Sequence, residues 1–186
     1  MAGVRHKIIR ASYELFAGQE FDKIAVMDIV KKAGVSKASF YNHFSDKYEL
    51  LYLYCADAIN NKALRRYDGT NWDQIQAGIF QLGYDHRELF RSLQRSSGAA
   101  DFWYSVSRLM FKVLSRIRLL NSGREELPDD ETLTLEMYVN SLIFLFRKMV
   151  LSECPLSCAE ISDVAVRTLP DGFKMLPYDL AKRISA

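Results

Sequence analysis

The sequence predicts an all-α protein, with a three-helix N-terminal unit followed by a larger helical body. Three observations predict it. Apolar residues recur at spacings of three and four almost throughout, and nothing alternates with period two for long enough to make a half-buried strand. Glycine, serine and proline punctuation falls between those periodic runs, where turns are needed. At 186 residues, 49% hydrophobic and 26% charged, the chain can bury a real core, which argues against a mostly disordered or collagen-like protein.

The first helix is expected over Val4 to Gly18, with Ile8, Ser12 and Leu15 on one stripe, Ile9 and Phe16 beside it, and Gly18 as its stop. A second, short helix is expected from Val26 to Ala33, where Val26, Ile29, Val30 and Ala33 follow the i, i+3, i+4, i+7 spacing of a single buried face. After Gly34, Ser36 is a good N-cap, and Val35 with Phe40 then occupies the two positions of a hydrophobic staple. That third helix is brief, Lys37 to His43, because Ser45-Asp46 offers fresh caps and Asp46 with Glu49 has capping-box spacing for a fourth helix, Asp46 to Arg66. The cluster Tyr67-Asp68-Gly69-Thr70-Asn71 is a turn between head and body. Further helices are expected at Trp72 to Leu82, Arg87 to Gln94, Ala99 to Leu120, Glu131 to Glu153 and Ser157 to Thr168, with one or two more turns from Tyr178 to Ser185.

Composition narrows the function classes. The longest apolar run, Leu50 to Ala56, is far short of the roughly 18 to 20 residues that span a bilayer, and no basic-then-apolar leader opens the chain, so no membrane association and a cytoplasmic location are expected. Three cysteines, an odd number, do not make a disulfide framework, and free thiols in a reducing compartment are expected. Net charge is +2, and that small excess lies before Tyr54, where eight lysines and arginines face six acids. Composition alone therefore does not announce a nucleic-acid partner.

The arrangement of the second and third helices offers a candidate for one. Two short helices joined through Ala33-Gly34-Val35 have the length and turn of a helix-turn-helix, whose second helix lies in the DNA major groove. At about 100° per residue, Phe40 and Phe44 share one face of the helix after Ser36, while Ala38 and Asn42 lie opposite, flanked by Ser39 and Tyr41. An outward face that is small and polar suits close approach to base edges, and Lys37 at the helix start supplies a cation for phosphate or guanine. His43 at the far end of the segment and Lys47 just beyond it complete the DNA-binding candidates, and Arg5, Lys7 and Arg10 on the first helix could add sequence-independent phosphate contacts. On periodicity alone a plainer reading stays open, in which Ser36 merely caps, Tyr41 and His43 cover a core edge, and Lys47 is an ordinary solvated lysine.

The stretch from Ile8 to Leu51 closely resembles the N-terminal DNA-binding domain of the TetR family of transcriptional regulators. The resemblance is carried by Leu15-Phe16, Asp28-Ile29, Ala33-Gly34-Val35-Ser36, Phe40-Tyr41 with Phe44, and Lys47 with Leu50. It covers about a quarter of the chain and implies that residues 1–50 form a helix-turn-helix DNA-binding domain and residues 51–186 a helical effector-binding and dimerisation domain. It also implies that Ser36, Lys37, Ser39, Tyr41 and Asn42 contact bases or phosphates, with Tyr41 and Lys47 as phosphate anchors. Two departures stand out. Ala25 replaces the Thr or Ser that usually caps the second helix, which costs about 1 kcal/mol, and Glu20 replaces a glycine common after the first helix, with Gly18 two places earlier.

TetR-like bodies dimerise and hold an effector, and both jobs leave a trace here. In the helix around Leu133 to Leu151, Leu135, Tyr138, Leu142 and Met149 form one stripe, while Met137, Phe144, Leu145 and Leu151 fall largely outside it. A second apolar face needs a partner, so a twofold homodimer is expected on this helix and the Ser157 to Thr168 helix; a fully buried central helix in a monomer is the alternative. Two recognition helices about 34 Å apart then predict a pseudo-palindromic double-stranded DNA operator. Phe80, Tyr84, Phe102, Trp103 and Met110 are candidates to line an apolar cavity for a small-molecule effector, although Trp103, Val106, Met110 and Val113 also repeat as a core stripe would.

No phosphate-binding loop, dinucleotide fingerprint or zinc-protease motif occurs, and Gly34-Val35-Ser36-Lys37-Ala38 fails the nucleophile-elbow pattern. His6, His43 and His86 are scattered, and Cys154 with Cys158 lacks partner ligands, so no catalytic residue, cofactor or metal is expected. The expected function is a ligand-responsive transcriptional regulator, a repressor rather than an activator. Its rival is a regulator-like interaction protein that has lost specific DNA binding, which Ala25 and the low net charge would favour.

Overall fold

The computed structural model describes residues 3–59 and 72–171, and within them every regular element is helical. The order is α1 (Val4–Phe16), a single 3-10 turn (Phe21–Lys23), α2 (Val26–Ala33), α3 (Lys37–Tyr41), α4 (Lys47–Asp57), α5 (Trp72–Asp85), α6 (Arg87–Leu93), α7 (Ala99–Ser122), α8 (Asp129–Val150) and α9 (Cys158–Arg167). The expected continuation of α4 to Arg66, the turn cluster from Tyr67 to Asn71 and the turns from Tyr178 to Ser185 lie outside the described residues.

Local chemistry sets most helix ends. α2 stops at Gly34, whose φ of 64° is left-handed backbone that glycine adopts without steric cost. α1 stops earlier than expected, at Phe16: Ala17 caps it with right-handed backbone, so Gly18 is not the left-handed terminator that its position suggested. α3 is shorter than Lys37 to His43, because the N–H groups of His43 and Phe44 both converge on the Phe40 carbonyl at 2.9 Å and close the helix. α8 ends at Val150 rather than Glu153. Ser152 there is left-handed without being glycine, at φ 61°, and the Glu153 N–H returns to the Lys148 carbonyl at 2.9 Å, which satisfies a terminal acceptor.

The head is α1, α2, α3 and the first half of α4, packed around Ile8, Phe16, Phe21, Ile24, Ile29, Phe40, Phe44 and Leu50, all buried. In the body, α5 packs along α9 and α7 along α8, and the Tyr138 hydroxyl donates to the Ala165 carbonyl at 2.7 Å to tie α8 to α9. Burial raises the pKa of that hydroxyl. A β-carbon at Gly83 would overlap the Phe146 ring, so the bare backbone of α5 is what admits this ring from α8.

α4 packs against α1 on the head side and against α7 on the body side. Polar bonds fix the same junction. The buried Phe21 N–H donates to the Ser92 hydroxyl at 2.6 Å, the Gly98 N–H donates to the Tyr48 hydroxyl at 3.2 Å, and the Tyr54 hydroxyl lies 3.0 Å from His86 Nε2. At Gly98 an added β-carbon would sit 2.6 Å from the Tyr48 ring, so the α6–α7 loop can press against the head only because this residue has no side chain. Arg95 reaches both Glu20 and Asp22, at 3.2 and 3.4 Å.

Candidate functional site

α3 is built so that one side is anchored and the other is free. Ser36 caps it: its hydroxyl oxygen accepts the Ser39 N–H at 3.0 Å and lies 2.9 Å from the Ser39 hydroxyl. Phe40 is 0% and Phe44 2% exposed, whereas Tyr41 is 51% exposed and Lys37, Ala38, Asn42 and His43 are exposed with it. Ser39 is intermediate. The Lys37 ammonium stands 5.9 Å from the Tyr41 ring centroid, close enough for a cation–π contact. These residues share one surface, and their hydroxyl, amide, imidazole and ammonium groups supply both donors and acceptors.

Lys47 stands apart. Its ammonium donates to the Phe21 carbonyl at 2.7 Å and the Ile24 carbonyl at 2.8 Å and lies 4.3 Å from the Phe21 ring centroid. Burial holds its pKa below the usual lysine value. Two of its three donors thus fasten the segment between α1 and α2 to the start of α4, an inward role different from that of the solvated phosphate anchor suggested by its position. The start of α2 is also better held than its sequence implied. Ala25 offers no side-chain acceptor, but the Asp28 carboxylate accepts the Ala25 N–H at 2.9 Å, which is half of a capping box. On α1, Arg10 pairs with Glu14 at 3.4 Å, and the Arg5 guanidinium lies 5.4 Å from the Phe44 ring centroid.

The body holds a cavity of about 60 Å³ between α4, α5, α6, α7 and α8, walled by Phe80, Phe90, Trp103, Met110 and Phe146 among others. Three of the five ligand candidates, Phe80, Trp103 and Met110, are in this wall. Two are not. Tyr84 is 48% exposed and packs under the Arg87 guanidinium, 5.1 Å from its ring centroid. Phe102 is buried but borders an open groove between α4 and α7, beside Tyr48 and Tyr52. Helical spacing marked both as apolar without showing which way each faced. Gln76, buried in the cavity wall, gave no signal in the sequence, since a glutamine within a helix reads as solvent-facing.

Cys55 also lines the cavity, and burial pushes its thiol up to about 12. All three cysteines are free. Among the described residues no group of three or more His, Cys, Asp or Glu side chains is placed to hold a metal, and no helix is long and apolar enough to cross a membrane.

Residues 8–52 match the family described as bacterial regulatory proteins, tetR family. The chain is 29% identical over 92 residues to the biofilm operon icaADBC HTH-type negative transcriptional regulator IcaR of Staphylococcus aureus, covering 47% of this chain and 50% of that protein. It is 40% identical over 50 residues to the uncharacterized HTH-type transcriptional regulator YvdT of Bacillus subtilis, covering 27% of this chain and 26% of that one. The aligned region thus spans half or less of the length of these curated relatives. Among solved structures, a TetR transcriptional regulator from Rhodococcus sp. RHA1 superposes with a TM-score of 0.62 at 16% identity, covering 89% of this chain and 94% of the other. At that identity the match shows a shared fold.

Proposed function

We propose that this chain, a TetR-family transcriptional regulator with its DNA-binding unit at residues 8–52, represses transcription by binding a pseudo-palindromic operator as a homodimer, and that a small-molecule effector in the body releases it. The observation that carries the DNA half of this reading is the division of α3: Phe40 and Phe44 fill the head's core, and the side opposite faces solvent. Exposed among the described residues, the surface of Ala38, Tyr41 and Asn42 is open to base edges, and Ser36, Lys37 and Ser39 lie at the end of α3 that would meet phosphate. His43 extends the same surface.

The dimer is supported by α8. Leu133, Met137 and Phe144 are 59%, 65% and 60% exposed and recur along one side of the helix, while Leu135, Tyr138, Leu142 and Met149 are buried beneath. Large apolar side chains at that spacing suit a self-complementary helix pair across a twofold axis. Repression follows the relatives described as negative regulators. The effector step is supported by the cavity's walls. They include Cys55 in the last turn of α4, Ile59 just beyond it and Phe90 on α6, so a molecule filling the space pushes on two of the helices that hold the head. An effector changes DNA affinity only by preferring one arrangement of the head over another; moving the population from 1:99 to 99:1 takes about 5.5 kcal/mol of differential affinity.

The test is a gel shift at several salt concentrations on pseudo-palindromic segments upstream of the chain's own gene. Specific, salt-dependent retention that Tyr41→Ala abolishes is expected. Retention unchanged by Tyr41→Ala, or none on any segment, would contradict the assignment and favour a protein-interaction role.

A further inference from the structure

Beside the Cys55 thiol, two side chains with polar atoms stand in the described wall of the body's cavity, and each carries an unsatisfied buried donor. Gln76, on α5, is 1% exposed, and its Nε2 has no hydrogen-bond partner among the described residues. Trp103, on α7, is 6% exposed, and its Nε1–H has none among them either. Both residues line the cavity, and among the described residues no charged side chain does. Buried donors left without acceptors destabilise the state that contains them, and folded chains keep few. Two in the wall of one cavity mark where an acceptor is missing.

The rest of the lining limits what can bring that acceptor. An ionised ligand would leave water for a wall whose described residues offer no counter-charge, which is strongly unfavourable. Phe90, Trp103 and Phe146 form a cluster, with ring centroids 5.2 to 6.1 Å apart, that suits a flat, unsaturated body. We propose that this cavity selects an uncharged, largely apolar molecule bearing a carbonyl-type oxygen, to which Gln76 Nε2 and Trp103 Nε1 donate. The inference rests on the effector reading given above and adds the ligand's chemistry to it.

A space of about 60 Å³ is small beside the roughly 300 Å³ at which ligand pockets begin, so occupancy widens it. Met110 is unbranched and flexible, and Ile143 and Phe146 are only half-buried; these are the side chains that yield. Phe90 lies two residues from Ser92, so widening on the α6 side is felt at the hydrogen bond that the Phe21 N–H of the head donates to Ser92.

The test compares three probes by calorimetry and thermal shift on the full chain: acetophenone, its isostere α-methylstyrene with CH2 in place of the oxygen, and benzoate. Acetophenone is expected to bind at least tenfold more tightly than α-methylstyrene, and benzoate not to bind. Gln76→Leu is expected to reduce the preference below threefold, to leave α-methylstyrene within twofold of its original affinity, and to leave the melting temperature of the free protein equal or higher, since an unsatisfied donor is removed. Trp103→Phe is expected to reduce the preference as well. Equal binding of the isosteres, a preference that survives both substitutions, failure of all three probes to bind, or a lowered melting temperature in Gln76→Leu would overturn the proposal. A gel shift run alongside separates the two readings: ketone selectivity without any change in DNA retention refutes the effector's role and leaves the ligand chemistry standing.

Discussion

The buried backbone N–H of Phe21 is satisfied by the hydroxyl of Ser92, 2.6 Å away and 71 residues later in the chain. Ser92 donates in turn to the Leu89 carbonyl at 2.9 Å, so α6 holds the head by a short relay of two hydrogen bonds. The same helix supplies Phe90 to the cavity. One short helix therefore touches both the space proposed for the effector and the segment leading into α2.

Ser92→Ala breaks that relay without enlarging any side chain. The Phe21 N–H is left buried and unpaired, and a loss of about 1–3 kcal/mol is expected. For a chain of this length each kcal/mol lowers the melting temperature by about 2–4 °C, so calorimetry decides the point. No change in melting would mean that the N–H finds water or another acceptor.

Lys47 and Lys37 separate a contact of the fold from the proposed recognition surface. Lys47→Met removes the donors to the Phe21 and Ile24 carbonyls, and a stability loss of about 1–2 kcal/mol is expected by urea denaturation. Lys37→Ala is a surface change and is expected to stay within about 0.5 kcal/mol of the parent. In operator binding, measured well below either melting point, Lys37→Ala is expected to reduce the salt slope by about one phosphate's worth. A slope unaltered by Lys37→Ala would remove that residue from the interface.

On α8, Met137→Glu and Phe144→Glu place charge on side chains that the protomer leaves in water. Both variants are expected to remain folded by circular dichroism and to sediment as monomers, with at least tenfold weaker binding to a full operator and unchanged binding to a half-site. A dimer that persists in both variants would move the twofold contact elsewhere.

The thiols report burial. Cys154 is expected to alkylate readily in the native protein, Cys158 more slowly because burial raises its thiol's pKa, and Cys55 only on unfolding. The Cys55 thiol stays protonated in the folded chain up to about pH 12, while the unfolded chain releases the proton from about pH 8.5. Its contribution to stability is thus complete below that lower value and falls away as pH rises through the folded one. Cys55→Ala is expected to flatten the alkaline decline, as read from urea midpoints between pH 8 and 11.

Much of this was legible in the sequence where local chemistry decides. The limits of α2, the Ser36 cap and the burial of Phe40 and Phe44 follow from spacing and short-range hydrogen bonding, and the structure has all of them. The residues that escaped sequence reading are those whose partners are distant in the chain. Nothing near Lys47 announces that its ammonium turns toward two carbonyls more than twenty residues earlier. Ser92 and Gln76 look like surface polar residues until the helices around them are packed, and Tyr84 looks buried until α5 is oriented. Helical periodicity states that a side chain has an apolar neighbour but leaves open which one.

Gly83 contributes no atom to the wall beside it, yet the seat of Phe146 depends on its bare backbone. A single methyl introduced there would act as a wedge, prying α5 from α8 or tipping the ring toward the hollow. The capacity of the chamber is thereby adjustable from a position that a molecule inside it never meets, so descendants of this chain could change their chemical tastes while every contacting side chain stayed the same.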